Sequence, residues 1–455
     1  MKRIIYISII TVFFLSCEKE WLEERTDKRL VVPTTIEDFQ ALLDNSTGYM
    51  NSLPALGEIA VDDYHVKDER LQSLSSAVQR NAYIWKKEDL YEGSFVGDWI
   101  LSYEKVLYAN VALEGIETVE ITSENQKDWN NVKGSALFFR ALNFFHLAQL
   151  FAPPYDLDNA EDQLGIPLRL TSNVEEKTTR STLQKTYDQI IEDLEGAINL
   201  LPETPLIQTR PSKPAALALL AKTYLIMEQY DTALGYANQS LEMYSTLMDY
   251  NEMTFDGASS FERYNPEVIF DAYLMTYAIF VSSYHNVDED FYNIYDAADL
   301  RKKALFLDNS GDYIFKGSYG GAPGFAGIFW GGIATDEIWL IRAECLARSG
   351  QLDDAMNTLN QLAKNRYQAD SFIPFSASSK DEALEIVLSE RWKELPFRGI
   401  RFQDLRRLNK DSRFARTLTR EVNGQIYELP PNDLRYTYPI PDDVIELSGI
   451  PQNPR

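Results

Sequence analysis

The chain has 455 residues, 45% of them hydrophobic and 12% aromatic, which is enough apolar material for a sizeable core. Its 69 acidic and 44 basic side chains give a formal net charge of −25, a surface that repels phosphate backbones and argues against nucleic acid as a partner. Two cysteines exclude a disulfide framework, and beyond residue 15 no apolar run approaches the about 18 residues of a membrane-spanning helix.

The chain opens with a positive pair, Lys2-Arg3, then the apolar run Ile4 to Leu15, then Ser16-Cys17. This is the layout of a cleaved secretory signal. Because it ends on Leu15-Ser16-Cys17 rather than Ala-x-Ala, it resembles a bacterial lipoprotein signal. That resemblance implies removal of residues 1–16 and lipidation of Cys17. One acyl chain binds membranes marginally and two hold stably, so a diacylated Cys17 tethers the whole chain. The charges Glu18, Lys19, Glu20, Glu23 and Glu24 read as a spacer and resemble the acidic export tag of Bacteroidetes surface lipoproteins. Cys345 is then alone, on a helical pattern, and reads as a buried apolar filler.

Helical periodicity dominates the rest. Asp98 to Ile116 places Trp99, Tyr103, Val106, Leu107 and Asn110 on one face, and Val132 to Phe151 places Ala136, Phe139, Leu142 and Phe145 on one stripe. Ser181-x-x-Gln184 reads as a capping box opening a helix to Leu201. Pro214 to Leu241 and Trp339 to Leu362 match each other in phase and carry the tetratricopeptide pattern of small residues at helix crossings. Ser212 and Thr335 are their expected N-caps. Ala221 and Ala343 fall at the close approach, and Lys222 falls off that face. Ser379-x-x-Glu382 caps a helix to about Leu395, with another from Ile400. The predicted fold is mainly α, with tetratricopeptide-like helix pairs forming a scaffold at about 98–151, 181–245 and 335–408. Long loop-rich insertions with minor β structure occupy 31–92, 152–179, 246–334 and 409–455. No linker composition divides residues 17–455, which read as a single body.

No His-Glu-x-x-His, Gly-x-Ser-x-Gly or Walker-type motif occurs. Glu390, Glu394 and Asp404 raise the question of a two-carboxylate hydrolase. However, Arg391, Lys393, Arg401, Arg406 and Arg407 interleave with them, which lowers carboxyl pKa values and predicts an ion-pair lattice. His65, His146 and His285 are too dispersed for a ligand set, and Asp308 to Asp312 lacks the terminal Glu of a calcium loop and reads as an acidic turn. No metal, cofactor or catalytic residue is expected. The aromatics off the helical stripes are better candidates, because flat rings beside amides and carboxylates suit sugar faces and hydroxyls. Trp330 leads, flanked by Gly331 and Gly332, and it either stacks on ligand or plugs its Gly-rich loop onto the scaffold. Trp85 follows, with Asp63 and Arg80 as hydroxyl partners, and then Tyr64, Tyr83, Tyr284, Tyr319 and Phe329.

With these segments placed, the chain resembles the SusD/RagB family from end to end. The motifs run Trp21-Leu22-Glu23, Pro33 to Phe39, Trp99-x3-Tyr103, Arg140-Ala141-x2-Phe144-Phe145, Arg180 through Ala197, and Arg210-Pro211-Ser212. They continue with Ile341 to Glu344, Glu390 to Leu395, Gly399 to Arg407, Tyr438-Pro439-Ile440-Pro441 and Gln452-Asn453-Pro454. Arg398 and Arg455 depart from the family pattern. The resemblance implies a SusD-like fold on an outer-membrane, surface-exposed, lipid-anchored binding protein. Such a protein captures an oligosaccharide or polysaccharide and delivers it to a SusC-like TonB-dependent transporter. Peptide or other nutrient uptake is the alternative within that role. A surface glycoside hydrolase and a protein-binding tetratricopeptide scaffold are the readings outside it.

Overall fold

The computed structural model describes residues 33–45 and 49–455; the signal segment and Cys17 lie outside the described residues. Ten helices of eight residues or more carry the fold. They are α1 (Ile36–Leu43), α2 (Gly97–Ile116), α3 (Gln126–Phe151), α4 (Leu183–Leu200), α5 (Lys213–Ile226), α6 (Tyr230–Met243), α7 (Thr335–Arg348), α8 (Leu352–Ala363), α9 (Lys380–Glu394) and α10 (Arg401–Leu408).

Each helix from α2 to α8 packs on the next, and α9 closes on α7 and α8. The stacking is indifferent to chain separation. Helix α6 rests on α7 although residues 244–334 intervene, so that insertion loops out of the stack. The local sequences explain which faces meet. Helix α4 is amphipathic and buries one stripe, Leu183, Tyr187, Ile190, Leu194 and Ala197. Helix α5 (KPAALALLAKTYLI) is apolar nearly all round and is buried nearly all round, between α4, α6 and α7. The two tetratricopeptide turns match: Gly350 (φ 79°) follows α7, and Glu228 (φ 60°) takes the same left-handed position after α5. Only the first of the two has the residue that adopts this conformation freely.

Ser212 and Ser379 cap as expected, accepting from the Ala215 and Glu382 amides. Two caps shift by one residue. Thr182, not Ser181, receives the Lys185 amide, while the Ser181 hydroxyl donates to Ile166 O. Thr335 is already helical and its hydroxyl donates to Thr246 O. Lys222 is not off the packed face. It is buried, with Nζ 3.1 Å from Glu337 and 5.9 Å from the Phe145 ring centroid. Cys345 is buried and unpaired, and burial pushes its thiol pKa up. No described helix is long and apolar enough to cross a membrane.

The strands among the described residues, β1 (Ser52–Leu53), β2 (Tyr64–Val66), β3 (Val268–Phe270), β4 (Tyr273–Leu274), β5 (His285–Val287), β6 (Phe306–Asn309), β7 (Asp312–Phe315), β8 (Ile333–Ala334), β9 (Leu418–Val422) and β10 (Gln425–Leu429), form five two-stranded sheets. Two of these position the site. β1 (Ser52–Leu53) pairs in parallel with β4 (Tyr273–Leu274), and β3 (Val268–Phe270) pairs antiparallel with β8 (Ile333–Ala334). Leu274 N donates to Phe329 O and Gly331 N to Ala272 O, so the 329–331 segment lies alongside β4. The first of these ladders staples the first insertion to the third, as does the antiparallel pairing of Tyr64–Val66 with His285–Val287, and the second closes the third insertion on itself.

Candidate functional site

The aromatic rings that the sequence singles out are mostly buried, which corrects the expectation that they face ligand. Trp330 is 1% exposed. Its Nε1 donates to Asp271 Oδ1 at 2.9 Å, Tyr319 packs on its ring, and the Arg398 guanidinium covers it 4.6 Å from the centroid. The flanking glycines serve this packing. A Cβ on Gly332 would lie 2.5 Å from the indole and 2.2 Å from Phe270 O, and one on Gly331 would lie 2.6 Å from Leu274. Trp330 is the plug of its loop.

The second cluster lines a concavity of about 350 Å³, but its ring faces are taken by the protein itself. Arg420 sits 3.7 Å over Tyr83, 4.6 Å over Trp85 and 5.7 Å over Tyr64, donating to the carbonyls of Ile59, Val61 and Tyr83. A protein cation therefore occupies the ring faces that a sugar would need. Trp85 Nε1 donates to Ala60 O, Tyr64 OH to Ile59 O, and Tyr83 OH accepts the Val66 amide. Arg80 donates to Leu74 O. Asp63 is fully buried and accepts from Trp392 Nε1 at 2.8 Å, so it is no hydroxyl partner. Burial, then the neighbouring Asp62, raises its pKa; burial, then Asp63, raises that of Glu58. Tyr319 donates to Glu267 at 2.5 Å, Phe329 is buried among Phe280, Phe315 and Phe397, and Tyr284 is half-buried against the core.

The carboxylates of the C-terminal helices form the lattice that their spacing predicts. Arg301 bonds Asp299, Glu390 and Glu394, Arg366 bonds Glu267 and Glu394, and Arg391 and Arg407 both bond Asp404. Burial raises the Glu390 and Asp404 carboxyls, but Arg301 with Lys393, and Arg391 with Arg407, together outweigh it and hold both below the ordinary range. Glu267, Asp336 and Glu394 converge closely enough to hold a cation. Arg366 and Arg398 already supply the positive charge there, with Tyr319 bonded to Glu267 and Asp336. Residues 308–312 form an acidic hairpin turn in which Gly311 N donates to Asp308.

What remains open is a cleft of about 690 Å³ where β1, β4 and the 320–328 loop meet the start of α2. This is within the usual size of ligand sites. Its walls include Phe95, Leu101, Arg263, Tyr273, Met275, Tyr277 and Ile328, and Asn51, Ser52 and Gly320 add polar and backbone groups. Phe95, one of these walls, is 67% exposed, so its ring face is accessible from solvent. Tyr273 is half-buried, its OH donating to Gly320 O at 3.3 Å. Beneath the floor, Asp98 accepts the Leu56 amide and the Tyr277 hydroxyl, and burial raises its pKa. Lys105 donates to Ser52 O, and burial lowers its pKa to about 7. Both charges are engaged by the protein, so the floor is a fixed polar layer under an apolar mouth. A second large concavity, about 740 Å³ beside Lys302 and Phe306, lacks free rings: Tyr292 is stacked 3.6 Å on Tyr313 with Lys302 above it.

Phe95, Tyr273 and Arg263 are not among the residues that the sequence singles out. The available signals were an isolated ring in the polar turn Gly93-Ser94-Phe95 and the alternating run Ala272 to Tyr277.

Residues 20–225 match the family described as starch-binding, associating with outer membrane, and residues 335–455 match the SusD family. The chain belongs to the SusD/RagB family. A SusD-like protein P2 of Formosa agariphila is 29% identical over 136 residues, 30% of this chain and only 25% of that relative's length. A SusD superfamily protein of Bacteroides thetaiotaomicron superposes with a TM-score of 0.73 at 22% identity, covering 92% of this chain and 100% of that one. Surface glycan-binding protein A of Bacteroides fluxus superposes at 0.69 with 16% identity, covering 93% and 100%. These likenesses show the fold.

Proposed function

We propose that the protein is a cell-surface glycan-binding lipoprotein that captures an oligosaccharide in the Phe95–Tyr273 cleft and passes it to a TonB-dependent outer-membrane transporter. The observation that carries the capture step is the cleft itself. It joins exposed and half-exposed rings to a fixed polar floor, on insertions held by the helical stack. Rings of this kind stack on the C–H faces of pyranoses while amides and hydroxyls take hydroxyl hydrogen bonds. Family membership and the fold shared with a surface glycan-binding protein support the same reading.

The protein acts by binding rather than catalysis. Glu390, Glu394 and Asp404 are tied to arginines, and the carboxylates beside the cleft are engaged as well, Asp98 by backbone amides and Tyr277 and Asp271 by Arg263 and the Trp330 indole. Lipid attachment at Cys17 and surface location rest on the signal layout and on the family.

Retardation of the purified protein in gels containing a panel of polysaccharides tests the capture step. A retarding glycan should lose its effect with Phe95→Ala and Tyr273→Ala, each costing about 1–2 kcal/mol of binding with an unchanged melting temperature. Full retardation of both variants would remove the cleft from the function.

A further inference from the structure

The charge balance of the cleft is unlike that of the chain. The protein carries 69 acidic residues, yet among the described residues the cleft walls contain no Asp or Glu and a single charged side chain, Arg263. That guanidinium is held in a fixed orientation. Its Nε and Nη2 both donate to Asp271 Oδ2, at 3.0 and 2.8 Å. Asp271 is fully buried, and its other oxygen accepts the Trp330 indole. The rings of Tyr264 and Tyr273 lie 4.5 and 5.3 Å from the guanidinium carbon. The Nη1 side makes no hydrogen bond to the described residues, and the side chain is 41% exposed. An arginine fixed along one edge by a buried carboxylate therefore presents its other edge to a cleft free of competing acids. That edge offers two parallel N–H groups, the geometry that a planar carboxylate accepts bidentately, and little side-chain entropy is left to lose on binding.

We infer that the cleft selects an acidic glycan, with the carboxylate of a uronic acid residue read by the free Nη1–Nη2 edge of Arg263 and the pyranose faces taken by the flanking rings. This deepens the glycan-capture reading and rests on it. A surface of net charge −25 repels acidic chains at long range, so a local, charge-bearing fork also confines their binding to this one place.

The test is calorimetric titration with oligosaccharides of galacturonate, mannuronate and glucuronate, each beside its methyl ester, which keeps the ring and removes the charge, and with a neutral glucan and a sulfated galactan. The expected result is that at least one acid form binds tenfold or more tighter than its ester, with an affinity that falls as sodium chloride is raised. In Arg263→Gln the ratio of acid to ester affinity should collapse towards one. An Arg263→Lys variant, which keeps the charge but not the fork, should retain only part of it. Because the native chain's acid-to-ester ratio needs no variant, a misfolded substitution does not shield the inference. Binding of neutral glycans or esters with no acid preferred would overturn the inference and leave glycan capture standing. A sulfated galactan preferred over every uronate would overturn the carboxylate assignment. Binding of none of the acidic or neutral chains would overturn the capture reading itself.

Discussion

Trp330→Ala separates packing from ligand contact most sharply. The indole is 1% exposed, donates to buried Asp271, and packs against Tyr319 and Arg398, which also touch each other. Replacing a buried Trp with Ala costs about 3–5 kcal/mol through lost transfer energy and a residual cavity. Leaving Asp271 Oδ1 without its donor adds about 1–3 kcal/mol, partly offset if water enters. The expected total is about 4–6 kcal/mol, an exceptional value for one substitution. Trp330→Phe keeps most of the ring and loses the hydrogen bond, so it should cost about 1–3 kcal/mol. Chemical denaturation with both variants against the native chain measures this, read as midpoint shifts at constant slope. A Trp330→Ala protein within about 1 kcal/mol of native would refute the plug assignment. A simultaneous loss of glycan affinity would restore the ring to the ligand.

Ala221→Leu should destabilise by about 1–3 kcal/mol, because Ala221 is fully buried in α5 and has no room for three more carbons; thermal melting checks it, and an unchanged curve would contradict the packing of that helix. Gly350→Ala should cost about 1–2 kcal/mol although a methyl there meets nothing within 4 Å, since the penalty comes from its left-handed φ of 79°. Glu58 and Asp63 give a pH prediction. Both carboxyls are raised, first by burial and next by a neighbouring carboxylate, Asp63 for Glu58 and Asp62 for Asp63, and Glu58 Oε1 and Asp63 Oδ2 have no hydrogen-bond partner. A raised carboxyl means that the folded state holds its proton longer than the unfolded chain. The stability from that proton is present below the ordinary value of 4.5 and is lost as pH rises through the elevated one. Glu58→Gln, which can still accept from Gly399 N, should therefore raise the melting temperature more at pH 9 than at pH 5; equal shifts at both would contradict it.

The tetratricopeptide pairs were legible because the signal is local: small residues at fixed spacing force two helices together whatever lies between the pairs. The caps were legible to within one residue. At Ser181-Thr182 two adjacent hydroxyls compete, and packing against Ile166, which periodicity cannot see, decides which one faces the helix. The rings were misread for a tertiary reason. Trp330 and Trp85 look free in a Gly-rich or polar context, and only folding brings Arg398 and Arg420 across their faces. Lys222 was misread in the same way, since its partner Glu337 stands on another helix. Conversely, Tyr273 reaches the cleft because β4 pairs with Ser52–Leu53 from the far end of the chain, and no local pattern records that pairing.

The proposed capture site lies between the 51–53 and 273–277 segments, against Phe95 and Tyr273. The most direct measurement is a crystal structure of the protein with an oligosaccharide that retards it in gels. Capture in this cleft places a sugar ring within about 4 Å of both side chains, with its polar groups turned to the Asn51–Ser52 edge and Arg263. A sugar bound instead over the Arg420-covered rings of Tyr83 and Trp85, with the Phe95–Tyr273 cleft empty, would contradict it.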